Sequence, residues 1–157
     1  MSYVENNLLP GEQVVYRTGL HWNVLLVPIA FLASALALAL WSLVRSHDDA
    51  TDSIRVIALV ALAIALIVFL VRLVYFRSAE FAVTNRRVML KVGWIQRHSL
   101  ELILNKVEAI SVDQNLRGRL LGFGTITVTG TGGTKETFET LAHPFEFRNQ
   151  VQGQIHA

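Results

Sequence analysis

The sequence predicts a two-helix membrane hairpin joined to a small all-β domain of about seven antiparallel strands, capped by a C-terminal α-helix. Three observations point there. Two long stretches carry no charge, Asn23 to Val44 and Val56 to Val71. After Ser78 the chain changes to a two-residue period. Its last segment returns to a helical one, with Phe147, Val151 and Ile155 four residues apart.

Residues 1–22 form a polar leader with Glu5, Glu12 and a single Arg17, set apart from the β domain at 77–157. The first apolar run follows this leader and is too long for the core of a cleaved signal, which spans about 7–15 residues behind basic ones. A bilayer core needs about 20 apolar residues at about 1.5 Å rise each. The first run fits one crossing, at about 23–44. The second continues through Leu73 to Phe76 around Arg72 and fits another, at about 55–76. Both are apolar on every face rather than along one stripe, which a chain this short has no means of covering with protein. The intervening loop, Arg45 to Ser53, is short enough to be only the turn of a hairpin.

Composition agrees. The 157 residues are 52% hydrophobic and 17% charged, with a mean hydropathy of +0.43. Globular chains run near 45–50% and about 25%. The acidic loop (Asp48, Asp49, Asp52 against Arg45) and the basic C-terminal flank (Arg72, Arg77, Arg86, Arg87, Lys91) place both termini in the cytoplasm, since lysine and arginine accumulate on that side. Arg55 and Arg72 lie near helix ends, where long side chains snorkel to the interface. Trp22, Trp41, Tyr75 and Phe76 sit at interfacial levels, and Pro28 is expected to kink the first helix slightly. Alanines at 33, 35, 37, 39, 58, 61, 63 and 65 offer small surfaces for helix packing, within the hairpin or between copies. Ser34 is the one polar side chain deep in the first run, and the core of the second has none, which argues for an anchor over a pore.

Phe81 to Thr84, the turn Asn85-Arg86-Arg87, and Val88 to Leu90 read as a β-hairpin. Val92 to Ile95 supplies a second turn, and a strand follows from about Trp94 to Leu102. Ile110 to Asp113 alternates. Thr125 to Thr129 alternates most cleanly, with Ile126 and Val128 directed at a core. Gly130 to Thr134 is a turn before a returning strand at Thr137 to Leu141. Asn115 to Leu121 reads as one helical turn stopped by Gly122. Pro144 fits the first position of the closing helix.

The stretches Phe81-Ala82-Val83-Thr84-Asn85-Arg86-Arg87-Val88, Gly93-Trp94-Ile95, and Asp113-Gln114-Asn115-Leu116-Arg117-Gly118-Arg119-Leu120-Leu121-Gly122-Phe123-Gly124-Thr125-Ile126 resemble the bacterial pleckstrin-homology (PH) domain family of small membrane proteins. The upstream helix pair and the opening Leu9-Pro10-Gly11-Glu12 fit that layout. The resemblance covers about residues 75–155. It implies a PH-like bent barrel capped by a C-terminal helix, and self-association for some members, but no single biochemical activity.

Residue chemistry argues against catalysis. There is no cysteine, hence no disulfide, thiolate site or thiol nucleophile. The five histidines (His21, His47, His98, His143, His156) lack metal-ligand spacing, and no cofactor is called for. His98 and Glu101 fall on opposite faces of a strand. Ser99, Ser111 and Asp113 have no nucleophile-turn motif around them. Gly130-Thr131-Gly132-Gly133-Thr134-Lys135 lacks the Gly-Lys-Ser/Thr ending and strand-to-helix setting of a phosphate loop. The region after Phe76 holds ten basic and seven acidic residues without a basic stripe, which excludes nucleic acid.

Two groups remain. Arg72, Arg77, Arg86, Arg87 and Lys91 are candidates for anionic-lipid contact, each well-placed charge being worth about 1 kcal/mol. Arg117, Arg119, Gly132 and Gly133 are candidates for protein contact. The expectation is a non-enzymatic assembly module of the bacterial inner membrane, multi-pass, embedded in the lipid bilayer, that self-associates or binds another membrane protein. Anionic-lipid binding is the alternative.

Overall fold

Phe81-Ala82-Val83 and Val88-Met89-Leu90 are unbroken apolar triplets, the pattern of strands covered on both faces. The computed structural model, which describes residues 3–44, 49–93 and 98–155, shows what covers them. The chain divides into two compact units, Met1–His21 with Phe76–Ala157, and Trp22–Tyr75. The leader is therefore part of the β domain, not a separate segment, and the hairpin interrupts the domain.

The β unit has a four-stranded antiparallel sheet in the order β1 (Val14–Thr18), β2 (Glu80–Thr84), β3 (Arg87–Val92), β4 (His98–Ile103). A three-stranded antiparallel sheet follows in the order β5 (Val107–Asp113), β6 (Phe123–Gly130), β7 (Lys135–Ala142). A bent barrel of about seven strands was expected; the described residues form seven strands, arranged as two antiparallel sheets. They are stitched where Leu20 bridges Leu141 and the Ala142 amide donates to the Gly19 carbonyl at 3.0 Å. The expected strand start at Trp94 lies outside the described residues; β4 is described from His98.

One face of each sheet lines a shared core. Phe81, Val83, Val88, Leu90, Ile126, Val128, Phe138 and Leu141 are buried there, and Phe81 meets Phe138 edge-to-face at 5.6 Å between the two sheets. Ile126 and Val128 point inward as their alternation predicts, while Thr127 turns out toward Thr137. The helix α1 (Tyr3–Asn6) lies in the leader, with Val4 packed on Ala82 and Met89, the residues of β2 and β3 that face away from that core. Between β5 and β6 runs α4 (Leu116–Leu121). The closing helix, α5 (Pro144–Ile155), begins at the expected proline and buries Phe147 and Val151 against both sheets. Ile155, the third residue of the predicted stripe, is partly exposed.

The second unit holds α2 (Leu26–Val44) and α3 (Asp49–Ser78). Both are long and apolar enough to cross a membrane, with only 11% of each apolar window buried. Val27, Phe31, Leu43 and Ile57 are all more than 60% exposed, which in water would be costly at about 25 cal/mol per Å². Ala39, Ala58 and Ala65 are buried, as small residues in close helix contact are. Pro28 is the third residue of α2, behind a 3-10 turn at Trp22–Leu25. Within α2 itself that is a first-turn position, where a missing amide costs least. The second helix starts at Asp49, earlier than the expected 55. Arg55 thus lies inside it, where its Nε donates to the Ser42 carbonyl at 3.1 Å and its guanidinium pairs with Asp52 at 2.9 Å.

Candidate functional site

The β2–β3 hairpin carries the first group of predicted residues, and the leader determines what they do. The side chains of Ala82, Thr84, Arg87, Met89 and Lys91 share the face opposite the main core. Glu12 enters this face with its side chain fully buried. Its carboxylate accepts from Arg87 Nε and Nη2, both at 2.9 Å, from the Thr84 hydroxyl at 2.7 Å and from the Leu9 amide at 2.8 Å. Arg87 also donates to Glu101 at 2.6 Å and to the Asn7 carbonyl. Burial pushes the Glu12 carboxyl up, but the Arg87 hydrogen bonds, the Leu9 amide and the Thr84 hydroxyl together outweigh it and hold the group at about 2. The same Glu12 contacts raise the Arg87 pKa.

Two more contacts fix the leader. Glu80 accepts from the Tyr3 and Val4 amides, both at 3.1 Å, capping the start of α1 with negative charge. Tyr3 donates to Glu101 at 2.9 Å, and this hydrogen bond raises the phenol pKa. The Lys91 ammonium lies 4.7 Å from the centre of the Tyr3 ring.

The second group sits on the three-stranded sheet. Asn115 caps α4, its Oδ1 accepting from the Gly118 amide at 2.7 Å, and Gly122 ends it in the left-handed conformation. Gly118 is buried against β6. A Cβ there would stand 2.4 Å from the Phe123 carbonyl oxygen, so only glycine lets the helix lie this close. The opposite side of α4 is open: Leu116 is 78% and Leu120 86% exposed. Behind the helix, His21 stacks on Phe123 at 5.2 Å; burial, then the neighbouring His143, lowers the His21 pKa. Gly132 and Gly133 form the exposed tip of the β6–β7 turn at φ +114° and +82°, backbone that L side chains rarely adopt.

A family model for the bacterial PH domain matches residues 14–155. The chain belongs to that family. No curated protein and no solved structure matches it. The match begins at β1, ahead of the hairpin, in keeping with a PH domain built from both sides of the insertion. PH domains are generally non-catalytic interaction modules.

The five candidate lipid contacts part company. Arg86 and Arg77 are exposed. Arg87 is held between two carboxylates, and Lys91 is half-buried over Tyr3. Arg72 is exposed on the other compact unit. Among the candidate protein contacts, Arg117 and Arg119 are exposed on α4, and Gly132 and Gly133 belong to a different loop. His98 and Glu101 do part to opposite faces: His98 meets Glu136 at 3.0 Å, while Glu101 meets Arg87 and Tyr3. Among the described residues no group of three or more His, Asp or Glu is placed to hold a metal ion. Sequence reasoning missed Glu12, Thr84 and Tyr3. The apolar triplets in β2 and β3 were the available signal, because a strand apolar on both faces needs a second cover.

Proposed function

We propose that this chain is a membrane-anchored PH-like assembly module of the bacterial inner membrane, self-associating or binding another membrane protein. The observation that carries the anchoring is the insertion point. β1 ends at Thr18 and β2 begins at Glu80, yet Thr18 pairs with Phe81 in adjacent antiparallel strands. A domain closed in this way has both ends of its insertion on one side of a bilayer, so the insertion crosses an even number of times. The two apolar helices supply that number. The basic residues flanking α3 favour the cytoplasm for the domain and both termini.

Assembly is supported within the hairpin unit. An apolar groove of about 680 Å³ runs between α2 and α3, lined by Phe31, Ala35, Leu38, Ala61, Ile64 and Val68 among others. Small residues allow close helix approach in lipid, where packing rather than water exclusion drives association. Tethering both partners in one membrane raises their effective concentration, so weak contacts count. Crosslinking of the full chain in native membranes tests this: a ladder of homo-oligomers or one captured membrane protein is expected. A protein that stays monomeric and captures nothing defeats the proposal.

Anionic-lipid binding at the β2–β3 turn is the alternative, supported by exposed Arg86 and Arg77. It is weakened by the pairing of Arg87, whose charge two carboxylates offset. Enrichment of anionic over zwitterionic lipid around the reconstituted full chain, measured with and without charge reversal at Arg86 and Arg77, separates the two, because an assembly contact elsewhere is indifferent to it.

A further inference from the structure

Helix α4 presents an unusual surface for so short an element. Leu116 and Leu120 are four residues apart and form one ridge, 78% and 86% exposed. On the helical wheel Arg117 and Arg119 fall on either side of that ridge, both exposed. Gly118 points the other way and presses the helix onto β6, which fixes the ridge outward. The sequence of the helix, Leu-Arg-Gly-Arg-Leu-Leu, holds two cations and no carboxylate.

We propose that α4 is a membrane-contact element, its leucine ridge entering the headgroup region of an anionic leaflet while Arg117 and Arg119 meet lipid phosphates. It rests on the anchoring proposed above, which keeps a bilayer within reach of the domain. Charge complementarity selects the occupant: leucines flanked on both sides by arginines match acyl chains beneath a negative headgroup layer. Area argues against a protein partner here. A stable protein interface uses about 20–30 residues a side, whereas α4 has six. A bilayer needs no matching surface, and each arginine near an anionic leaflet is worth about fivefold in partition.

The chain has no cysteine, so single-site labelling is direct. The full chain with Leu120→Cys carrying an environment-sensitive fluorophore is reconstituted into phosphatidylcholine vesicles with and without phosphatidylglycerol. Thr134→Cys, at the exposed β6–β7 turn, is the reference. The expected result is a blue-shifted label at position 120, shielded from aqueous iodide and quenched by spin-labelled lipid, in the anionic vesicles. Arg117→Gln with Arg119→Gln reverses the shift, and the label at position 134 stays in water. A ridge label equally exposed to iodide in both vesicles overturns the proposal, as does equal shielding in both. Shielding that rises with the protein-to-lipid ratio assigns the ridge to a protein copy and also overturns it. Alkaline extraction of the same vesicles reads the anchoring separately: protein that extracts from the membrane sinks the anchor, whereas retained protein with an aqueous ridge label sinks only the ridge.

Discussion

Arg86-Arg87 and Arg117-Gly118-Arg119 are alike on paper, two cations in a short connection on the same β domain. In the fold they differ in what stands behind them. Arg87 faces a buried carboxylate from the leader and a second one from β4, so half of the first pair is structural. Arg117 and Arg119 flank exposed leucines on a helix whose own residues include no acid. A basic pair in a sequence therefore says little until the nearest carboxylates are placed. Here the deciding residue, Glu12, lies on the far side of two membrane-length helices.

The largest effect expected from this contrast is the loss of Glu12. Removing Glu12 leaves the mostly buried Arg87 with Glu101 as its remaining carboxylate partner and strips the Leu9 amide of its acceptor, at about 3 kcal/mol, the low end for a broken buried pair. Glu12→Ala should thus release the leader and expose the outer face of β2 and β3. Hydrogen exchange on the full chain in detergent would report this as lost amide protection across residues 80–92. Unchanged protection there would mean the leader is not held by this pair. By contrast, Arg17→Ala breaks only an exposed pair with Glu5 and should cost no more than about 1 kcal/mol.

Acid tests the same pair without a mutation. Glu12 is held at about 2 in the fold against an ordinary 4.5. Because the folded value is the lower one, its contribution is complete above pH 4.5 and is lost as the pH falls toward 2. At 1.36 kcal/mol per unit this comes to about 3 kcal/mol. Protection of residues 80–92 should therefore fall between pH 4.5 and 2, and Glu12→Gln should flatten that fall. An identical acid profile in the variant would move the effect to other carboxylates.

On the α4 side the corresponding structural residue is Gly118. An added methyl would meet the Phe123 carbonyl oxygen at 2.4 Å, and that atom belongs to backbone and has no rotamer to yield. Gly118→Ala should cost about 1–3 kcal/mol by overpacking and lift α4 from β6. Protection loss confined to residues 116–130 would match this, whereas a neutral substitution would show that the helix is not seated as tightly as its geometry implies.

The contrast also shows where the sequence was readable. The β6–β7 hairpin, the turn at 131–134, α4 between Asn115 and Gly122, and the proline start of α5 all follow from patterns local to each segment: alternation, a capping residue, a left-handed glycine. Membership of β1 in the domain has no such local mark. Val14 to Thr18 suits a strand, but its partner lies beyond the whole hairpin, and pairing across so long an insertion leaves no trace in either segment's own period. The same is true of the candidate sites. That Arg86 and Arg117 would be exposed was legible from their turns; that Arg87 would be occupied depended on Glu12, which looked like one more acid in a polar leader.

The smallest expected effect is the one that separates a structural surface from a functional one. Leu116 and Leu120 are mostly solvent-exposed, so little apolar area is lost to folding when they are replaced. Leu116→Ser with Leu120→Ser should shift stability by no more than about 0.5 kcal/mol, in the range of surface substitutions away from caps and cores. Val88→Ala or Leu90→Ala, at fully buried positions of β3 facing the main core, should cost about 2–5 kcal/mol for the leucine and somewhat less for the valine. Side-by-side thermal melts in one detergent would compare them. If the α4 serines melted as low as the core alanines, the leucine ridge would be holding the fold together rather than facing outward. If they melted with the parent protein, any loss of membrane contact in the same variant would belong to the ridge alone.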